Sequence, residues 1–509
     1  MSTDAGSFCL VLHTHLPWLA HHGRWPVGEE WLYHAWAESY LPLVRVLDSL
    51  AAQGHRDVLT LGLTPILADQ LDDPYCLAGF SAWLADWRLR AEDLAARRDR
   101  HGRLDEHAAS QAGIEFQSAS RALEDAASGW RQGGSPRFRA LADAGVIELL
   151  GGPATHPVLP LLEPRVARIA LTVGLDDARI RLGQAPAGIW APECGWAPGL
   201  EQVYRAAGVS HLVVDEATLA AAGKSTAAGY RLADTDVVAF GRDLAVTNRV
   251  WSSHDGYPAG VDYRDFHAVE PASGFRLWRV TGPGPEKAPY CPAAAAAAVE
   301  RDARDFVSTV RDRLAELRNR DGKPGVVVAA YDTELFGHWW HEGPAFLDRV
   351  LRLLPEAGVR VSTLRTALED GRVGRDPVRP PAGTWGAGKD FRLWAGESVG
   401  ALQADAAEVQ KRLLGVLDSE LPAGRRPVRR PDLDQLVRET LMQLSGDWAF
   451  AISRNQAPDY AWRRAIGHRD AVHWIADAVG RGPAEGLRAA REVAVGGAPF
   501  ARLDARALL

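Results

Sequence analysis

The sequence predicts an α/β fold in which buried parallel strands alternate with helices, most simply as a barrel carrying insertions. Two observations predict it. Short apolar runs recur along the first two-thirds of the chain, and stretches of helical periodicity separate them. Runs that are apolar on both faces are what a strand buried in a parallel sheet requires. Strands alternating with helices imply right-handed crossovers, either around a barrel or across an open sheet.

The runs fall at residues 8–12, 58–63, 146–150, 187–190, 211–214, 275–280 and 326–330. Seven strands spread over so long a stretch favour the barrel. The helix expected over 300–318 shows the pattern best: Phe306, Val307, Val310, Leu314 and Leu317 recur at helical spacing. Two segments break the alternation. Residues 81–142 are charged and helix-prone, which predicts a helical insertion between the second and third strands. Beyond Gly374 the Pro/Gly-rich stretch DPVRPPAGTWGAGKD intervenes, and helices run from there to the end. The expected division is a catalytic barrel over 1–374 containing the insertion, and a C-terminal helical domain over 375–509. PAGRRPVRRP at 422–431 is expected as an exposed basic loop.

Composition excludes some functions. With 58 Lys and Arg against 65 Asp and Glu, the net charge is −7, and the basic face of a nucleic-acid binder is not expected. No run approaches the ~18 apolar residues of a membrane span, and the N-terminus lacks the pattern of a secretory signal. Four scattered cysteines with no C-x-x-C pair fit a reducing cytoplasm and no structural zinc. Nothing sets an oligomeric state. Eighteen tryptophans outnumber thirteen phenylalanines. Indole suits stacking against the apolar faces of sugar rings, although any single Trp could equally be core.

Barrel enzymes place their chemistry at the C-terminal ends of strands. The first strand is followed by His13-Thr14-His15, the third by a loop reaching His156, the fourth by Pro192-Glu193-Cys194, and the last by Tyr331-Asp332-Thr333-Glu334. Two chemistries compete. His-x-His with further His and Asp on later strands would also suit a metal-dependent deacetylase or amidohydrolase, although the sequence shows no compact set of three ligands. Alternatively, Glu193 and Asp332 form the carboxyl pair that glycoside cleavage needs. One would attack the sugar and the other, its pKa raised by apolar surroundings, would protonate the leaving oxygen. No cofactor or metal is called for on that reading.

The strings HTHLPW, GGPATHPVLPLL, GIWAPECGW, AAYDTELFGHWWHEG and SGDWAFAI resemble the five ordered motifs of glycoside hydrolase family 57, most closely those of its 1,4-α-glucan branching enzymes. The resemblance runs from His13 to about Gln456. It implies a seven-stranded (β/α) barrel with a helical insertion and a C-terminal helical domain, acting on an α-1,4-glucan in glycogen synthesis by retaining double displacement. It also implies roles: Glu193 as nucleophile and Asp332 as general acid/base. His13, His15, His156, Asp447 and Gln456 would bind sugar hydroxyls, while Trp278, Trp385 and Trp394 would stack on the glucan. Within the family the alternatives are a 4-α-glucanotransferase or an α-amylase; outside catalysis, a glucan-binding module. One departure matters. Branching enzymes of the family carry a tyrosine in a mobile loop, and residues 231–256 contain none, with Leu244 and Ala245 near the corresponding place. A larger hydrolytic fraction follows as the expectation.

Overall fold

The computed structural model describes residues 6–99, 101–252, 254–282, 287–421 and 428–508. Seven parallel strands form the barrel: β1 Ser7–Thr14, β2 Leu59–Leu63, β3 Ile147–Leu150, β4 Gly188–Ile189, β5 His211–Asp215, β6 Val238–Arg242 and β7 Val326–Asp332. Their order is β3-β2-β1-β7-β6-β5-β4. The ring closes where Gly151 N–H donates to Gly188 O at 3.0 Å and Trp190 N–H donates to Gly151 O at 2.9 Å. Two-residue strands Tyr230–Arg231 and Arg360–Val361 flank the ring on β6 and β1.

The sequence of β1, SFCLVLHT, explains its place. Every residue is buried, because β1 is flanked by β2 and β7 while its two faces meet the barrel interior and the helices outside. Its register sets His13 opposite Gly62 of β2 and opposite Asp332 of β7. Glycine at 62 makes room here, since a Cβ there would lie a tight 3.2 Å from the Trp190 Cβ. The interior can therefore hold both the Trp190 indole and the His13 imidazole.

One expected strand is wrong in place. Residues 275–280 are extended but lie outside the ring, making isolated bridges from Trp278 to Pro289 and from Arg279 to Arg264. The barrel position belongs to β6, VAFGR. Its brevity, its glycine and its terminal Arg242 hid it, yet Arg242 is buried because Asp215 of β5 accepts its N–H at 2.8 Å.

Helices α1 Pro74–Ala95 and α2 Glu106–Ala127 lie between β2 and β3 and pack against each other. Each begins at an aspartate, Asp73 or Asp105, whose side chain accepts a first-turn N–H. Next come α3 Leu244–Trp251 and α4 Pro292–Asp321; α4 opens on proline and stops at Gly322, φ 68°. The C-terminal helices are α5 Gly400–Glu420, α6 Pro431–Gln443, α7 Gly446–Ser453, α8 Pro458–Arg481 and α9 Pro483–Val493. Residues 422–427 of the expected basic loop lie outside the described residues. Arg429 and Arg430 are not free cations: Asp434 pairs with the first, Glu420 and Asp432 with the second. No described helix is long and apolar enough to cross a membrane.

Candidate active site

Residues at or just beyond the C-terminal ends of β1, β3, β4 and β7 meet at one end of the barrel. The loop after β4 turns sharply, and Glu193 takes left-handed backbone angles, φ 61° and ψ 23°, followed by Cys194 at φ 50°. Such angles cost a non-glycine residue on the order of 1–3 kcal/mol and persist only where neighbours impose them. The neighbour is the Pro/Gly-rich segment. Gly383 and Trp196 exchange backbone hydrogen bonds at 2.9 and 3.0 Å, and Trp385 N–H donates to Glu193 O at 3.0 Å. The Pro/Gly-rich stretch that the sequence placed in the C-terminal domain supplies an extra strand of backbone that pins the Glu193 loop.

Trp385 also binds the Glu193 side chain, its Nε1–H donating to Oε2 at 2.6 Å. Its ring is held from several sides. The Arg242 guanidinium lies 4.9 Å from the ring centroid, Trp190 meets it edge-on at 5.1 Å, and Trp251 stacks at 5.9 Å. Arg242 is fixed in turn by Asp215, which Lys389 Nζ reaches at 3.0 Å.

The histidines cluster opposite. His13 Nε2 and His156 Nε2 are 3.0 Å apart and share a hydrogen bond. The His13 ring stacks on Trp190 at 4.6 Å, and the His15 ring stacks on His156 at 4.0 Å. His15 Nδ1 pairs with Thr64 Oγ1 at 2.9 Å, and its Nε2 sits 3.0 Å from both oxygens of Asp447. Asp447 lies in the first turn of α7, whose Gly446 N–H donates to His156 O at 3.2 Å. The C-terminal helices thus contribute a carboxylate to the barrel mouth. His156 Nδ1 stands 4.0 Å from Glu193 Oε1. His13 Nδ1 and His156 Nδ1 are buried and have no hydrogen-bond partner among the described residues.

Electrostatics divides these groups. Burial pushes the Glu193 carboxyl up to about 8, with the Trp385 N–H opposing. Burial and the nearby Glu334 charge hold Asp332 well above the usual carboxylate range, with Arg242 opposing. Asp447 goes the other way, to about 2: burial would raise it, but the His15 charge and hydrogen bond overcome that. Burial keeps His13 and His156 well below the usual histidine range, so they are neutral hydrogen-bonding groups near pH 7.

The fold therefore gathers Glu193, Asp332, His13, His15, His156, Asp447 and Trp385. Trp278 is half-buried and Gln456 is exposed; neither makes a hydrogen bond or ring contact with that group among the described residues. Trp394 departs from the expectation of a stacking platform. It is 1% exposed, packed near Phe450 of α7, and presents no face to a ligand. The short apolar helix α7 packs on it through Phe450, which the sequence did not reveal. His15, His156 and Asp447 also form a compact set that the sequence did not show, with one donor atom from each within 4.8 Å of the others. Asp215, Arg242 and Tyr40 went unread, and Glu334, named after the last strand, was given no role. A charged residue at a strand end was the available signal.

The residues expected near the missing loop tyrosine lie in a short helix. Leu244 and Ala245 open the short helix α3, and Trp251 closes it, 37% exposed, on the face of Trp385. Tyr257 is buried with its hydroxyl on Asp305.

A closed parallel barrel with carboxyl and imidazole groups gathered at its strand ends is the framework of an enzyme. The chain belongs to glycosyl hydrolase family 57, whose family model matches residues 9–377, and a model described as 1,4-alpha-glucan branching enzyme, C-terminal, matches residues 408–507. Along 100% of both chains it is 50% identical to a probable 1,4-alpha-glucan branching enzyme of Mycobacterium tuberculosis. The crystal structure of a GH57-type branching enzyme from Pyrococcus horikoshii superposes with a TM-score of 0.92 at 30% identity, covering 99% of this chain and 97% of the other. An alpha-amylase from Thermotoga maritima gives 0.85 at 25% identity, with 99% of each chain covered.

Proposed function

We propose that this chain is a 1,4-α-glucan branching enzyme that works by retaining double displacement. Glu193 attacks the anomeric carbon of an α-1,4-linked unit while Asp332 gives its proton to the departing glucan oxygen. The transferred segment is then an ester on Glu193. Asp332, now a base, takes the proton of a 6-hydroxyl on an acceptor chain, and that oxygen displaces Glu193 to form the α-1,6 branch.

The observation that carries the assignment of roles is the Trp385 Nε1–H donating to Glu193 Oε2 at 2.6 Å, which favours the charged form that attack requires. Burial and the nearby Glu334 charge favour the protonated form of Asp332, which suits the acid. His13 and His156 each have a free ring nitrogen for sugar hydroxyls, and the ionised Asp447 can accept from hydroxyls beside His15. Trp278 and Gln456 would contact glucan farther from the bond being cut. Likeness to the probable branching enzyme over the whole length of both chains favours branching over hydrolysis alone.

Four free cysteines, three buried and Cys291 exposed, fit a reducing compartment, and the cytoplasm with its storage glucan is the site of action we propose. Glu193→Gln and Asp332→Asn test the roles on amylose. Each is expected to abolish transfer while leaving glucan binding intact, and full activity in either variant would refute its assignment.

A further inference from the structure

Glu334 stands two residues beyond Asp332 and has no part in the steps above. It is 5% exposed, and among the described residues no Lys or Arg pairs with it. Two groups hold its carboxyl: Oε1 accepts from the Tyr40 hydroxyl and, at 3.3 Å, from the His15 backbone N–H. Tyr40 ends a five-residue π-helix, Trp36–Tyr40, a rare local geometry that recurs at functional sites. The same turn fixes the rest of the loop. Ser39 Oγ donates to Glu334 O at 3.4 Å and accepts the His338 N–H at 3.0 Å. Gly337 fits only as glycine, because a Cβ there would collide with the Glu38 carbonyl. So firm a docking against the loop leaves the Glu334 carboxyl little freedom to move.

We propose that Glu334 is a positioning residue for the acid step, a buried carboxyl docked in the loop just beyond Asp332 that makes Asp332 keep its proton until the glycosidic oxygen takes it. This rests on the reading of Asp332 as general acid/base. The charges facing the pair come from every side. His13 of β1 lies opposite Asp332 in strand register and the His15 N–H touches Glu334; Arg242 acts from the end of β6, Tyr40 from the π-helix, and Glu193 from the loop after β4. Only Arg242 among them is a permanent cation, and it works against retention of the proton. Burial lifts Glu334 to about 7, with Tyr40 opposing. As pH rises through neutrality Glu334 is therefore the group that ionises, and its new charge tightens the hold of Asp332 on the remaining proton.

The test is kcat/KM on amylose against pH for the full chain. The basic limb of that profile reports loss of the proton from the acid. Glu334→Gln keeps an oxygen for Tyr40 and His15 but no charge. It is expected to move the basic limb to lower pH by about one unit, the order of a like-charge effect. Tyr40→Phe leaves Glu334 protonated to higher pH and is expected to move the limb the same way by less. A folded Glu334→Gln whose limb stays in place, whatever its kcat, overturns the proposal. Should Glu334→Gln not fold, an unmoved limb in Tyr40→Phe overturns it. Asp332→Asn separates the two levels. If it is inactive while the limb of Glu334→Gln is unmoved, only this inference fails; if it is fully active, the role of Asp332 fails first.

Discussion

The indole N–H of Trp385 donates to Glu193 Oε2 at 2.6 Å, and the backbone N–H of the same tryptophan donates to the Glu193 carbonyl. One residue from the segment after the barrel thus fixes both the side chain and the strained backbone of the proposed nucleophile. A hydrogen bond to a charged group contributes about 1.5–3 kcal/mol. Trp385→Phe keeps the ring and loses the donor, so kcat for amylose is expected to fall about 10- to 100-fold with little change in KM. A rise in KM alone would make Trp385 only a platform for glucan.

Trp394 is core, and its substitution should act on stability. Trp394→Ala is expected to cost about 3–5 kcal/mol and lower Tm, while the KM of the folded fraction stays near wild type. An unchanged Tm with a raised KM for long glucans would restore the stacking role.

Trp251 lies against Trp385 where it can shield the glycosyl-enzyme. Transfer and hydrolysis compete for that one intermediate, and water loses only where the site excludes it. Trp251→Ala is expected to raise new reducing ends per new branch several-fold (about 2–5-fold for a barrier change near 0.4–1 kcal/mol). Tyrosine at Leu244 or Ala245 is expected to lower that ratio. No change in the Trp251→Ala ratio would show that other groups seal the site.

The proton held by Glu193 also enters the stability of the fold. In the unfolded chain a Glu ionises near about 4.3, whereas folded Glu193 keeps its proton up to about 8. Between those values the folded state binds more protons, so this carboxyl makes stability fall as pH rises, and its effect is complete above the folded value. Glu193→Gln cannot ionise. Its Tm advantage over wild type is expected to widen from about pH 5 to about pH 8 and then level. A gap independent of pH would contradict the raised proton affinity.

His15, His156 and Asp447 stand close enough for a metal ion, yet the chemistry proposed here needs none. Prolonged EDTA treatment is expected to leave branching unchanged. Loss on chelation with recovery on adding zinc would favour the amidohydrolase class instead.

Much of this was legible in the sequence because it is local. Apolar runs mark β1 and β7, and the carboxyls and histidines stand at strand ends, where a barrel needs them. Family membership follows from long motifs and matches the relatives found. What stayed hidden depends on long-range packing. Residues 275–280 alternate like a strand but pair outside the ring, and β6 ends on an arginine whose burial depends on Asp215. Nothing local to a Pro/Gly-rich stretch says that Trp385 will meet Glu193, 192 positions earlier, nor that Trp394 will lie beneath α7.

The most direct measurement is the linkage and anomeric outcome on amylose, followed by proton NMR with reducing ends counted in parallel. The account predicts α-1,6 signals growing as α-1,4 signals decline, with every new linkage in the α configuration and branches outnumbering new reducing ends. Reducing ends rising one for one with α-1,4 cleavage and no α-1,6 signal, or a β-configured first product, would contradict it.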